Sequence, residues 1–365
     1  MATAAYITRT LDPLVSPKWV KQDAAYEKGF EKLVENEHSS KFGKDYIRGF
    51  RRNQAACMDW AGDHVLVATN REDLFMYDAR GSEVRNWGGD WHSLQCHPSD
   101  PNIAACVEGS GGRFRVIDVR ESKKYIYDVD LSKISNNMHS FFNVVWSPEG
   151  HHVALNNVKE ELFTLDLRGS LRLSGYLALA AETPINAIGW SAPTKALWVG
   201  DAAGKLDVIA APELKRCAAV QAHSSSITAL ATDGAGTCVA AASSDCLVSL
   251  WDPAHMVCVN TYGYATQSPQ TLSFNHDCSL LAWGTGSAGS NSGGEKNLTI
   301  VGTNTGVMYW QDTTSAPVHT VRFHRQKNWL AYALNAHQVP VEDRDRRGTN
   351  RETATLHLLQ LPPDM

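Results

Sequence analysis

From about residue 55 onward, apolar and polar residues alternate in short runs, the period-two pattern of strands that bury one face. One run in each cycle closes on a bulky or small apolar anchor, at Trp60, Cys96, Trp146, Trp190, Ala231, Phe274 and Phe323. The anchors recur about every 44 residues, the length of one four-stranded propeller blade. After the anchors come tight-turn sequences such as His97-Pro98-Ser99-Asp100, Ser147-Pro148-Glu149-Gly150 and Asn275-His276-Asp277-Cys278. A second strand follows each turn, and a third often stops at an acid, as in Leu74 to Asp78, Phe114 to Asp118, Leu162 to Asp166 and Leu247 to Asp252.

The clearest unit runs from Ala222-His223 through Leu230, then Val239 to Asp245, then Leu247-Val248-Ser249-Leu250-Trp251-Asp252, and reads as a full WD repeat. Within it the pattern predicts a structural hydrogen-bond network of His223, a strand hydroxyl (Ser243 or Ser244), Asp245 and Trp251. The repeat accounts for His223 and Asp245 without a catalytic dyad. The predicted fold is all-β: a seven-bladed WD-repeat β-propeller over residues 44–363, with a partly helical N-terminal extension over 1–43. A ring left open exposes a strand edge, so residues 44–50 are expected to supply the outer strand of the last blade.

Composition narrows the function. With 365 residues, 43% hydrophobic and 20% charged, the chain buries a large core and is not disordered throughout. A net charge of −5 gives no global basic field for sequence-independent nucleic-acid binding. No apolar run is long enough to span a membrane, and the N-terminus lacks a secretory leader pattern, so the chain is expected to stay inside the cell. The eight cysteines form no C-x-x-C pair and read as buried thiols. Histidines do not cluster, and adjacent His151 and His152 point to opposite strand faces, so no metal site or cofactor is expected. Hydrolase, zincin and Walker motifs are absent, and the first strands offer mainly Ala, Val, Ile and Thr, so no catalytic residues are assigned.

Five features fall outside the regular repeat pattern. Tyr26, Phe30, Leu33 and Val34 sit at helical spacing and predict an amphipathic helix that packs on the ring or on a partner. The run Gly284 to Gly294 contains a literal G-x-G-x-x-G but no following helix, and reads as a flexible inserted loop, whereas the charged run Val341 to Glu352, with both signs interspersed, reads as a solvated loop. Residues 1–53 carry ten Lys or Arg against seven acids. There Lys41, Lys44, Arg48, Arg51 and Arg52 alternate with aromatics, as candidates for an RNA or partner contact or as charges guarding an edge strand. Trp87 and Trp91, flanked by glycines, are candidate partner anchors or blade-to-blade core.

The motifs also carry a resemblance. His97-Pro98-Ser99-Asp100-Pro101-Asn102 with Ile117-Asp118-Val119-Arg120, Trp146-Ser147-Pro148-Glu149-Gly150, Pro212-Glu213-Leu214-Lys215, the unit from Ala222-His223 to Trp251-Asp252, Thr271-Leu272-Ser273-Phe274 and Leu330-Ala331-Tyr332-Ala333 resemble the WD-repeat subunits of THO complexes, third in the usual naming of the animal complex. Residues 1–49, the Gly/Ser run, Cys96 and Ala231 depart from that pattern. The resemblance implies a non-enzymatic nuclear scaffold coupling transcription to messenger RNA packaging and export. It also implies large helical partner subunits, and a DEAD-box helicase and export adaptors reached through the complex. A second class stays open: Asp78-Ala79-Arg80, Asp118-Val119-Arg120 and Asp166-Leu167-Arg168 are D-x-R ends related to those of cullin-type ubiquitin-ligase substrate receptors.

Overall fold

A computed structural model describes residues 55–338 and 352–361, apart from 70–72, 80, 90, 109–110, 122–124, 135–137, 139, 180–182, 193, 235, 287–295 and 315. These residues form seven antiparallel sheets, six of four strands and a last one of three. The first strands are Ala55–Ala61, Trp91–Cys96, Phe141–Trp146, Ile185–Ser191, Ile227–Thr232, Pro269–Phe274 and Val318–Phe323. Each packs beside the next, and the seventh packs beside the first, so the blades close into a ring around these inner strands. All seven anchors read from the sequence lie at or next to the ends of these strands. The helix expected within residues 1–43 and the closing strand expected at 44–50 lie outside the described residues.

The core is divided rather than central. Seven buried clusters each fill the seam between two neighbouring blades, the last joining Ala331, Ala333 and Leu356 of blade 7 to Met58, Trp60 and Val65 of blade 1. Strands buried on both sides, such as Val239–Ser243 and Leu280–Thr285, supply these seams with near-continuous apolar sequence. The seam between blades 1 and 2 settles the two glycine-flanked tryptophans. Trp87 is 4% exposed and Trp91 1% exposed, both inside that cluster, so neither is a surface anchor. The physical reason is local. Gly89 lies at φ +139°, and a Cβ there would meet the Trp91 ring at 2.8 Å, so the glycine makes room for the indole to fold back under the crossing.

Side chains stitch one inner strand to the next. Asp59, Gln95 and Ser273 accept from the anchor N–H of the following blade, at Cys96 (2.8 Å), Trp146 (2.6 Å) and Phe323 (2.8 Å). The ring junction has its own clasp: Trp60 Nε1 donates to the Arg322 carbonyl at 2.9 Å, and Arg325 of blade 7 reaches across blade 1 to blade 2. The Arg325 guanidinium donates to Asp59 (3.1 Å) and to the Cys96 (2.6 Å) and His97 (2.5 Å) carbonyls.

Candidate interaction surface

Antiparallel connectivity puts the first-to-second and third-to-outer turns on one face of the ring. The second-to-third turns and the crossings between blades lie on the other. On the crossing face every inner strand carries a β-bulge at its second residue. The unpaired residues are Ala56, His92, Phe142, Asn186, Thr228, Gln270 and His319. A bulge releases one side chain from the pleat and re-aims it, so the seven gather around the mouth of the channel.

The mouth is chemically two-sided. Asn186 Nδ2 donates to Ser226 Oγ (2.8 Å) and the Ile227 carbonyl (2.9 Å), Thr228 Oγ1 donates to the Pro269 carbonyl (2.5 Å), and Gln270 Nε2 donates to Ser268 Oγ (2.9 Å). On the opposite arc Phe142 is 41% exposed and packs against His92 at 5.7 Å between ring centres. His319 is held below the usual histidine range by burial, against a hydrogen bond to the Ala56 backbone. Val158, also exposed, donates its N–H to the Ser140 carbonyl beside this arc. The arrangement offers a small aromatic and aliphatic patch beside His92 and His319.

The WD unit of blade 5 forms a continuous relay. His223 Nδ1 faces both Asp245 oxygens (3.1 and 3.2 Å), its Nε2 meets Ser249 Oγ at 2.7 Å, and Trp251 Nε1 donates to the same hydroxyl at 2.8 Å. The hydroxyl is therefore Ser249, not Ser243. Residues two apart on a strand share a face, which puts Ser249 beneath Trp251. Ser243 is engaged elsewhere: its Oγ donates to the Ser225 carbonyl (3.0 Å) and accepts from the Asp245 N–H (3.2 Å). Burial opposes ionisation of Asp245, but donation from the Ser224 and Leu247 N–H groups and proximity of His223 hold its carboxyl below the usual range.

On the turn face, Arg120 and Arg168 occupy equivalent ends of blades 2 and 3. Each folds back on its own strand-ending acid, with Nη2 at 2.6 Å from Asp118 and 2.7 Å from Asp166. The hydrogen bond from each arginine holds its acid below the usual carboxylate range. Both arginine side chains remain largely exposed, 63% and 60%. Arg80 and the basic residues Lys41, Lys44, Arg48, Arg51 and Arg52 lie outside the described residues. Among the described residues no group of three His, Cys, Asp or Glu side chains is placed to hold a metal ion.

No family model matches the chain. It is 28% identical over 304 residues to THO complex subunit 3 of Arabidopsis thaliana, covering 83% of this chain and 90% of that protein. It is 26% identical over 204 residues to the WD repeat-containing protein AAC3 of Dictyostelium discoideum, covering 53% of this chain and 40% of that protein. Among solved structures, the β-propeller domain of Cps50 (Swd1) from Myceliophteria thermophila superposes with a TM-score of 0.66 at 13% identity, over 87% of this chain and 99% of that one, a likeness of fold alone. The similarity read from the motifs thus runs through most of the ring.

Proposed function

We propose that this chain, similar along most of its length to a THO complex subunit, is a non-enzymatic nuclear scaffold that couples transcription to messenger RNA packaging and export. The carrying observation is the extent of that similarity, which takes in 90% of the relative rather than a few shared blades. Physical support comes from what the polar groups do. The carboxylate of Asp59 is taken up by the Trp60 and Cys96 N–H groups and by Arg325, and the blade 5 histidine by its relay, so these two titratable groups serve the ring. A rigid ring holds its connecting loops with little ordering cost when a partner docks.

In this reading large helical subunits engage the ring directly, while a DEAD-box helicase and export adaptors join through the complex. Lys41, Lys44, Arg48, Arg51 and Arg52 are the proposed contact to RNA or to a partner. The test is affinity purification of the tagged chain from nuclear extract with nuclease, followed by mass spectrometry of stoichiometric partners. Large helical THO-type subunits are the expected result. A cullin-ligase adaptor as the main partner, with no THO subunit, overturns the reading and returns Arg120 and Arg168 to the centre.

A further inference from the structure

The polar arc of the channel mouth is bonded one way round, each blade donating to the next. Asn143 Nδ2 of blade 3 donates to the Asn186 carbonyl of blade 4 (3.2 Å), Asn186 Nδ2 to the Ile227 carbonyl of blade 5 (2.9 Å), and Thr228 Oγ1 to the Pro269 carbonyl of blade 6 (2.5 Å). Asn143 Nδ2 also meets Asn156 Oδ1 at 3.0 Å, and Gln270 Nε2 meets Ser268 Oγ at 2.9 Å. The amide N–H groups of this arc are therefore spent on the ring itself. Their oxygens are not: among the described residues no donor reaches Asn143 Oδ1, Asn186 Oδ1 or Gln270 Oε1. All three residues are partly exposed and none of these oxygens is shut inside the core, so the arc presents acceptors to the mouth.

An aromatic face adjoins these acceptors. Phe142 precedes Asn143 on the inner strand of blade 3, is released from the pleat by the bulge, and is exposed with His92 packed against one side. The same face of the ring also carries negative charge. Asp73 heads the third strand of blade 1 and accepts from Asn86 Nδ2 (3.2 Å). Asp201 ends the second strand of blade 4 and accepts from Thr183 Oγ1 (2.9 Å) and the Ala203 and Lys205 backbone N–H groups (2.9 and 2.8 Å). These donors are neutral, so both carboxylates keep their charge. At about 4.8 Å a strand they stand about 5 and 10 Å out from the inner strands, comparable to a Debye length of about 8 Å.

We propose that the crossing-face mouth receives an arginine side chain of a partner protein, its guanidinium plane on Phe142 and its N–H groups on Asn143 Oδ1 and Asn186 Oδ1. The two asparagines are within one hydrogen bond of each other, and Phe142 is the chain neighbour of the first, so the three form one compact site. Its chemistry selects a group that donates without accepting, lies flat on a ring and tolerates acids nearby. A guanidinium has five donors in one plane, no acceptor and a permanent charge. An ammonium lacks the plane. A neutral amide brings a further oxygen among oxygens, and a nucleic acid brings phosphates toward Asp73 and Asp201. Gln270 Oε1, two blades beyond Asn186, is left to accept from the backbone of the segment that carries the arginine. Only the identity of the donor protein rests on the scaffold reading; the site is testable with no THO-type subunit in hand.

The experiment titrates the full-length protein into a short peptide that carries one central arginine and a trifluoroacetyl cap, and reads binding from the fluorine NMR line width. Lysine and citrulline versions of the peptide separate charge from shape, since citrulline keeps the plane and loses the charge. The arginine peptide is expected to bind, the lysine peptide about tenfold more weakly, and the citrulline peptide not measurably. Phe142→Ala, at an exposed side chain, is expected to weaken arginine binding about tenfold with the melting temperature unchanged. Asn186→Asp keeps the acceptor and adds charge, and is expected to tighten it about tenfold. Should that variant melt early through loss of its bonds to blade 5, Asn143→Asp takes its place. Equal binding of the arginine and citrulline peptides, no broadening at millimolar arginine peptide, or a well-folded Phe142→Ala that binds like the parent overturns the proposal. So does displacement of the arginine peptide by a uridine decamer, which would make the mouth an RNA site.

Discussion

Blades 2 and 5 solve one structural problem with opposite chemistry. At the third-strand position two residues before the last core side chain, blade 5 has Ser249 under Trp251 and blade 2 has Arg115 before Ile117. In blade 5 a neutral hydroxyl joins His223 to Trp251 and the chain of bonds ends at Asp245. In blade 2 the Arg115 guanidinium lies 5.0 Å over the Trp91 ring and 4.7 Å over the Tyr125 ring, with its Nε donating to Asp128 at 3.1 Å and Nη1 facing Glu108 at 3.5 Å. Blade 4 inverts the sign again, with Asp207 facing Lys205 (3.2 Å) and Arg216 (2.6 Å). The four-stranded geometry creates the same partly dry slot each time. What it requires is a group whose hydrogen bonds are met locally, and the residue type is free to vary.

The largest expected effect comes from removing the surface on which the blade 2 cation rests. Trp91→Ala is expected to destabilise the protein by about 4 kcal/mol, through the cavity left in a sealed seam. Denaturant melts with intact m-values check this; a variant that melts like the parent but loses partners would restore the surface-anchor reading. Next, Arg115→Ala bares the Trp91 ring and removes the cation that faces both Glu108 and Asp128, leaving Asp128 with Arg113 at 3.1 Å, an expected loss of about 3 kcal/mol. Should Arg115→Ala cost less than Ser249→Ala, the two blades are not equivalent solutions. Ser249→Ala itself is expected to lose about 2 kcal/mol, because it leaves His223 Nε2 and Trp251 Nε1 buried with no shared hydroxyl. A His223→Ala, Ser249→Ala double-mutant cycle by the same melts should show strong coupling, and additivity would break the relay.

The smallest effect is a pH dependence carried by histidines of blades 2, 3 and 7. Burial lowers the pKa of His357, stacked on Tyr332 at 4.7 Å, to about 4, and burial also lowers His97, His152, His319 and His324. The unfolded chain takes up these protons near pH 6.5, so it binds more protons than the folded one below that point. This contribution to stability is whole above about pH 6.5 and falls away toward pH 4. Melting temperatures measured across that window should drop on acidification, and His357→Gln should make the drop shallower. A melting temperature that rises on acidification contradicts this assignment.

Much of the ring was readable because the repeat writes itself at strand ends. The anchors mark where each inner strand stops, and even Cys96 and Ala231 do so, since the seam asks only for an apolar group that fits. Ser243 and Ser249 lie on the same face of the blade, so strand parity does not separate them; Ser249 stands two residues from Trp251 on its own strand, whereas Ser243 lies at the far end of the neighbouring one. Trp87 and Trp91 were ambiguous because glycine neighbours signal both an exposed crossing and a ring folded against bare backbone. The channel-mouth bulges leave no mark in composition, since residues as unlike as Ala56, Phe142 and Gln270 occupy the same slot. The reach of Arg325 over a whole blade depends on ring curvature, which no local pattern encodes.

That reach has a mechanical consequence. A propeller pulled by its ends is loaded at the junction where last and first blades meet, and this one routes the load through a guanidinium gripping three acceptors on two other blades. Several bonds set to break together resist shear as a unit, whereas bonds opened one after another behave as a zipper. Traction applied through a bound partner would therefore be shared among three neighbouring wedges before any single strand is peeled away.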